Sequence, residues 1–251
     1  MIRTDLALEA AALSGEAELP GISVCRVQKH GLELTTVTVQ NEEGARAIGK
    51  PPGRYITLET DPIGETALTG TAEAALLGES LSSLLPSEGT LLVACLGNAA
   101  ITPDALGPRA ARWVLATRHV AGREQLFRRF RPVAVLAPGV LGQTGIETAG
   151  LIRTVAWEIG ASAVLAIDAL AARDAARLGR TVQIADCGIA PGAGVGNNRA
   201  ELSRQTLGVP VVSMGIPTVV DCRTLLHDLG LPTPPGVPES LVVTPKDVDL
   251  L

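Results

Sequence analysis

Short apolar runs rich in β-branched residues alternate, from about residue 60 onwards, with segments whose apolar residues recur every three or four positions. The short runs predict buried strands at 90–96, 132–137, 162–167, 181–185 and 209–214. The periodic segments predict helices at about 64–85, 103–120, 169–178, 199–207 and 218–229, with a further helix ending near Gly160. Such alternation with short connections predicts an α/β fold, a three-layer α/β/α arrangement with a mostly parallel central sheet.

The two ends of the chain have different patterns. Near the N-terminus, between about residues 20 and 60, the segments 22–28, 32–40 and 54–60 predict extra β strands, the first two joined by a hairpin turn. Near the C-terminus, the proline-rich segment 231–238 predicts an irregular linker, followed by a short helix. We therefore expect one α/β domain over residues 1–230, with the linker and C-terminal helix in 231–251.

Composition and charge narrow the classes of partner. The net charge is −5 and no run of Lys or Arg occurs, so we expect no direct contact with nucleic acid. No segment has the apolar length of a membrane span and no leader pattern follows Met1, so we expect no membrane partner and a cytoplasmic location. The four cysteines lie far apart without a CxxC pair, which favours free thiols in a reducing compartment.

The stretch from Thr90 to Pro108 offers the first candidate for chemistry. An apolar strand closes with Gly97 and Asn98, and Thr102-Pro103-Asp104 then has the residue types of a helix start. Loops at the carboxyl ends of parallel strands are where open α/β sheets place their sites. Asp104 is thus a candidate site residue, although the same three residues also open ordinary helices.

A second acidic residue ends the next buried strand. Asp168 follows the apolar run 163–167, and we expect it at the same edge of the sheet as Asp104. Two carboxylates in that position could share a proton and activate water. Asp168 could instead cap the helix predicted from Ala169 onward, and the two carboxylates could also hold Mg²⁺ or Mn²⁺.

Other motifs are less specific. Glu147, Asp186 and Asn98 are secondary candidates near the same loops, and Asp186-Cys187-Gly188 matches the turn of aspartic proteases but also an Asx turn. The glycine-rich segment 192–196 lacks the lysine of a phosphate-binding loop, so we expect a substrate loop and no nucleotide cofactor. A serine nucleophile elbow does not occur, and no histidine lies near Cys187 in sequence.

Longer stretches resemble a known family. In chain order they are IRTDLALE (2–9), GRYITLET (53–60), GNAAITPDALGP (97–108), TRHV (117–120), APGVLGQTGIET (137–148), AIDALAAR (166–173), QIADCGIAPGAGVGNNRAELS (183–203), GVPVVSMGIPTVVD (208–221) and VVTPKDVD (242–249). On these motifs the chain resembles the germination proteases of spore-forming bacteria, endopeptidases that degrade small acid-soluble spore proteins during spore germination.

The resemblance implies a fold like that of hydrogenase maturation proteases and the chemistry of an atypical aspartic peptidase. It places the catalytic pair at Asp104 and Asp168. Because the sequence shows no cluster of histidines, we expect no cofactor and no metal. It also implies a homo-oligomer, a tetramer in the family, located in the spore core. The family is made as a zymogen, and the matching segment places the maturation cut within residues 3–7, after Asp5.

This chain departs from the family's pattern in four places. Ala99-Ala100 replace bulkier residues and Cys187 replaces a threonine, both close to the predicted site. The segment before the Thr244-Pro245 motif is short, and little sequence precedes Arg3, which bears on assembly and zymogen control. Two alternatives stay open: a metal-assisted peptidase with the same carboxylates as ligands, and a catalytically silent homologue that only binds partners.

Overall fold

The computed structural model describes residues 4–14, 19–63, 71–122, 125–127, 129–192, 200–238 and 240–248. The strands in these residues are β1 (Ile22–Lys29), β2 (Leu32–Val39), β3 (Gly53–Glu59), β4 (Thr90–Cys95), β5 (Val133–Leu136), β6 (Ala161–Ala172), β7 (Thr181–Ala185), β8 (Val211–Asp221) and β9 (Val242–Val243). The α-helices are α1 (Ala7–Leu13), α2 (Glu42–Ile48), α3 (Ala72–Leu84), α4 (Leu106–Ala110), α5 (Leu141–Thr144), α6 (Thr148–Glu158), α7 (Arg204–Leu207) and α8 (Cys222–Asp228).

The described strands form one mixed sheet in the order β1-β2-β3-β7-β8-β6-β4-β5, with β9 also paired to β8. The strands β5, β4, β6 and β8 are parallel to one another. The pairings of β7 with β8, β3 with β7, β2 with β3, β1 with β2 and β9 with β8 are antiparallel. The predicted α/β class is confirmed, but the prediction of a mostly parallel sheet is wrong. The N-terminal strands continue this sheet, which makes one half of it antiparallel.

Helices cover both faces of the parallel half. Successive side chains of a strand point to opposite faces, so β4 and β6 each contribute to two cores. One core packs α6 and α7 against the sheet, with its fully buried side chains including Leu92, Ile152, Val164 and Leu202. The other packs α3 against the opposite face, around Leu58, Leu76, Val93 and Val182. The sheet and the helices on its two faces thus form three layers.

Two helices that the sequence pattern did not predict cover the antiparallel half. Helices α1 and α2 pack on β2 and β3 around a core that includes Ala7, Val37, Val39 and Tyr55. Helix α2 has a recognisable start, because the side chain of Asn41 accepts hydrogen bonds from two backbone N–H groups of its first turn. Helix α1 has no such side-chain cap, and its short alanine-rich sequence gives only a weak helical pattern.

Strand β6 is longer than predicted. It continues to Ala172 because β8 pairs with it from Val164 to Ala172, so the helix predicted at 169–178 does not form. A 3-10 turn at Ala175–Arg177 follows instead. Asp168 therefore lies inside a strand and caps no helix. Opposite it, Gly215 allows the close approach, since a Cβ there would lie 2.6 Å from the Asp168 carbonyl oxygen.

Three further helix predictions are wrong in their bounds or type. The helix expected at 103–120 is a 3-10 turn, Thr102–Asp104, followed by the short α4. Strand β8 extends through the β-branched residues 218–220 to Asp221, so the last helix is only the seven-residue α8. Between residues 240 and 248 the chain forms β9 and no α-helix, while the end of the predicted C-terminal helix, residues 249–251, lies outside the described residues. Residues 231–238 form neither helix nor strand.

Two general predictions concern the membrane and the thiols. No helix in the described ranges has both the length and the apolar character needed to cross a bilayer. All four cysteines are free thiols, as predicted; Cys95 is buried and Cys25 is exposed.

Candidate active site

A tight turn at the end of β4 brings Asp104 back towards the sheet. The backbone N–H of Leu96 donates to the carbonyl of Ile167 on β6, which continues the strand pairing by one residue. Gly97 then adopts a φ of +113°, and a Cβ at this position would lie 2.0 Å from the Asp104 carbonyl oxygen. Only glycine fits both the backbone conformation and this close approach.

Hydrogen bonds fix the position of the Asp104 carboxylate. Its Oδ2 accepts a 2.9 Å hydrogen bond from the backbone N–H of Asn98. The preceding carbonyl, of Pro103, accepts a 2.7 Å hydrogen bond from the buried hydroxyl of Thr218 on β8. The turn of residues 97–104, called the acidic turn below, is therefore anchored to β8, and Asp104 itself is half-buried.

Asp168 reaches the same region from β6. It is only 4% exposed, and its Oδ1 accepts a 3.0 Å hydrogen bond from the backbone N–H of Ala169. In the pairing of β4 with β6, Cys95 lies opposite Ile167, so Asp168 begins where the Gly97 turn leaves the strand. Neighbouring strands are about 4.8 Å apart, so Asp168 lies beside the end of β4, where the turn that carries Asp104 begins.

Asp104 and Asp168 line one cavity of about 500 Å³, together with Asp5, Thr218 and Ser240. The two acidic residues, which come from different parts of the chain, thus share one cavity. The C-terminal segment forms part of the wall, because β9 extends the edge of β8 beside the same cavity.

A smaller cavity of about 150 Å³ adjoins the first and shares Asp5 and Asp168 with it. Its lining includes the polar side chains of Lys50, Tyr55 and Gln183. Burial lowers the pKa of the Lys50 ammonium, an effect opposed by the nearby negative charge of Asp5. A half-buried lysine and a buried glutamine beside an aspartate give this small cavity a polar lining.

Cys187 also lines the smaller cavity, where its thiol donates to the Tyr55 hydroxyl at 3.0 Å. That hydroxyl in turn donates to the carbonyl of Pro51 at 2.8 Å. Burial raises the pKa of the Cys187 thiol to about 11, and burial likewise raises the pKa of Tyr55. Since the thiolate is the reactive form, Cys187 has the properties of a structural thiol and not of a nucleophile.

The three secondary candidates lie in different places. Asn98 supports the acidic turn: its Oδ1 accepts from the backbone of Ala100 and from Gln143. Glu147 is exposed and lines a separate small cleft beside Gly97. Asp186 accepts hydrogen bonds from the backbone and the guanidinium of Arg54, at 2.7 and 3.1 Å, and thus ties β3 to the end of β7. Neither Glu147 nor Asp186 is among the residues that line the cavity of Asp104 and Asp168.

The sequence pattern did not identify the contribution of the N-terminal segment to the site. The backbone N–H of Asp5 donates to the carbonyl of Ala171, and the N–H of Ala171 donates to the Asp5 carboxylate, both at 2.8 Å. Lys50 and Gln183 also contact this segment. A weak signal existed for Gln183, because a polar side chain inside an apolar strand requires a hydrogen-bond partner. The local sequence gave no such signal for Lys50.

The remaining site predictions concern the glycine-rich loop and metals. Gly192 lines both cavities, whereas residues 193–199 lie outside the described residues. In the parts of the chain that the structure describes, no group of three or more His, Cys, Asp or Glu side chains is arranged to hold a metal ion.

Comparison with known proteins points to the same family as the sequence motifs. Residues 4–229 match the sequence profile of a family described as germination protease. The germination protease of Caldanaerobacter subterraneus subsp. tengcongensis is 44% identical over 232 residues, which cover 90% of this chain and 72% of that protein. Those of Clostridium tetani and Priestia megaterium are each 43% identical over 90% of this chain, covering 73% and 65% of their own lengths. The chain belongs to the germination protease family and is a peptidase.

Proposed function

We propose that this peptidase is an endopeptidase that degrades small acid-soluble spore proteins during germination, and that Asp104 and Asp168 activate the water that attacks the peptide bond. The observation that carries the proposal is that both carboxylates line one cavity, each held by a backbone N–H. A cavity of about 500 Å³ has the size of a site for a few residues of a peptide.

The chemistry needs one proton acceptor and one proton donor. A water held between the carboxylates gives a proton to the ionised aspartate as its oxygen bonds to the carbonyl carbon of the substrate. The protonated aspartate gives its proton to the amide nitrogen as the C–N bond breaks. Two interacting carboxylates of this kind titrate as a pair, one keeping a proton over a broad pH range.

The finer features implied by the resemblance belong to the same proposal. The protein acts in the spore core as a homo-oligomer, its activity requires no cofactor, and a short N-terminal segment is removed to activate it. The placement of Asp5 in the same cavity as the two carboxylates supports the last feature, because such a segment occupies space that a substrate needs.

The decisive experiment is cleavage of a purified small acid-soluble spore protein by the full chain. Asp168→Asn should abolish cleavage, while Asp186→Asn should keep most of it, since asparagine retains an oxygen that accepts from Arg54. Full activity of Asp168→Asn would overturn the carboxylate pair. Activity lost in EDTA and restored by one metal would favour the metal-assisted alternative, and binding without cleavage would favour the silent homologue.

A further inference from the structure

The side chain of Gln183 spans the Asp5–Leu6 peptide bond. Its Nε2 donates to the carbonyl oxygen of Asp5 at 3.0 Å, and its Oε1 accepts from the backbone N–H of Ala7 at 2.7 Å. Only one orientation of the carboxamide satisfies both contacts, because a carbonyl must receive the NH₂ and an N–H must meet the oxygen. Gln183 is 7% exposed, so water competes little for either bond.

The rest of the segment is also held through its backbone. Lys50 Nζ donates to the carbonyl of Thr4 at 2.9 Å, and Asp5 exchanges hydrogen bonds with Ala171 of β6. Contacts to backbone groups are the ones by which a strand receives an extended peptide. Asp5 lines both cavities together with Asp168, and Gln183 lines the smaller one, so the segment that Gln183 holds lies beside the candidate site.

We propose that Gln183 is a catalytic residue of self-cleavage, the donor that stabilises the oxyanion when the chain hydrolyses its own Asp5–Leu6 bond. The inference rests on the proposed function, which supplies the carboxylate pair and the position of the cut. As the water oxygen bonds to the Asp5 carbonyl carbon, negative charge develops on the carbonyl oxygen, where the Gln183 N–H already points. Breaking the C–N bond leaves a carboxyl group on Asp5 and an amine on Leu6.

A purely structural role is the competing explanation, since Gln183 also fastens the start of α1 to the sheet. Glu9 provides a matched control, because it also holds the N-terminal segment in place but is not among the residues that line either cavity. Its carboxylate accepts from the backbone N–H groups of Arg173 and Asp174, at 2.8 and 3.0 Å, and is 3.4 Å from Arg177. Glu9 also accepts from the Thr4 hydroxyl, which in turn accepts from the backbone N–H of Leu6. Glu9→Gln weakens this anchor and leaves the hydrogen bond between Gln183 and the Asp5 carbonyl in place.

The test follows the intact mass of the full chain over time, which reports loss of residues 1–5. Gln183→Glu keeps the shape of the side chain and the acceptor for Ala7, and removes the N–H donor. We expect it to slow self-cleavage by at least about a hundredfold at neutral pH. Glu9→Gln should cleave at a rate within the same order of magnitude as the unmodified chain, although both variants lose thermal stability.

Acidic pH provides a second readout when the rate of self-cleavage is compared with thermal stability at the same pH, because a restored anchor alone would change the two in proportion. A protonated glutamic acid donates an O–H bond, so the rate of Gln183→Glu relative to the unmodified chain should rise as pH is lowered from about 8 to about 5. Gln183→Leu, which cannot donate at any pH, should show no such recovery. Loss of self-cleavage in proportion to stability for all three variants would overturn the inference.

Failure of the inference and failure of the proposed function give different results. Normal self-cleavage by Gln183→Leu, with none by Asp168→Asn, overturns the role of Gln183 and keeps the carboxylate pair. If the chain cleaves the spore protein but keeps its own full mass, only the proposal that it hydrolyses its Asp5–Leu6 bond is overturned. Full self-cleavage by Asp168→Asn overturns the carboxylate pair itself.

Discussion

The Thr218 hydroxyl and the Pro103 carbonyl form a 2.7 Å hydrogen bond that ties β8 to the turn carrying Asp104. Thr218 is 2% exposed, so this bond forms away from bulk water. Thr218→Val keeps the shape of the side chain and removes the donor, leaving the carbonyl without this partner. We expect kcat to fall at least about tenfold because Asp104 shifts, with a loss of about 1 kcal/mol in the free energy of unfolding.

Thr244 provides the matched control for that substitution. Its hydroxyl donates to the carbonyl of Thr218 at 2.9 Å, so it also fastens a segment to β8, but it does not contact the acidic turn. Thr244→Val should therefore change stability without a comparable change in kcat. Equal effects of the two variants on kcat would show that the bond to Pro103 does not position Asp104.

Gly97 should tolerate no side chain. An Ala Cβ would lie 2.0 Å from the Asp104 carbonyl oxygen, at a φ of +113° that L residues rarely adopt. We expect Gly97→Ala to cost about 1–3 kcal/mol of stability and to reduce turnover by about a hundredfold, because the acidic turn must move. Gly78→Ala, in helix α3 with open space around it, should instead stabilise the protein by about 0.5–1 kcal/mol. Urea unfolding and steady-state cleavage of both variants check this.

The strands of the parallel half could be predicted because each is a short apolar run bounded by turn residues. The place of Asp104 in the turn after a buried strand was also predicted, and the structure has it there. Asp168 was expected beside it at a strand end, whereas β6 continues past it to Ala172. The pairing of β6 with β8 decides that extension, and a pairing between distant segments leaves no local pattern in an alanine-rich sequence.

The contacts of Asp5, Lys50 and Gln183 could not be predicted, because they join parts of the chain that are far apart in sequence. Gln183 meets Asp5 across 178 positions, and Lys50 meets Thr4 across 46. The mixed direction of the sheet escaped prediction for the same reason. Alternation of strands with helices indicates parallel pairing locally, but it does not tell where an N-terminal hairpin joins the sheet.

Acid should weaken the contact between Arg173 and Asp228. The guanidinium holds both carboxylate oxygens, with Nε 2.9 Å from Oδ2 and an NH₂ group 2.6 Å from Oδ1. These hydrogen bonds hold the pKa of Asp228 below its ordinary value. Because the folded-state pKa is the lower one, the stabilisation is complete above the unfolded value of about 3.9 and is lost as pH falls through the folded value.

Asp228→Asn should therefore lower the free energy of unfolding by about 0.5–1 kcal/mol at neutral pH, a small amount because the pair is partly exposed to solvent. The difference from the unmodified protein should vanish at the acidic end of that range. Asp61→Asn, at an exposed aspartate, serves as the control. Urea unfolding over a pH series measures both, and a difference that persists once Asp228 is protonated would contradict the assignment.

Asp104 and Asp168 should behave as one unit in a double substitution. Asn keeps the shape of each side chain but cannot take or give the proton, so each single variant should fold and lose at least about a hundredfold in kcat. Once either carboxylate is replaced, the pair cannot share a proton, so replacing the second carboxylate should lower kcat only a little further. The double variant should therefore be little slower than the slower single variant, whereas independent roles would make the two losses multiply. Steady-state cleavage of a small acid-soluble spore protein by the three folded variants measures the coupling. Multiplied losses would mean that each carboxylate contributes separately and that no shared proton links them.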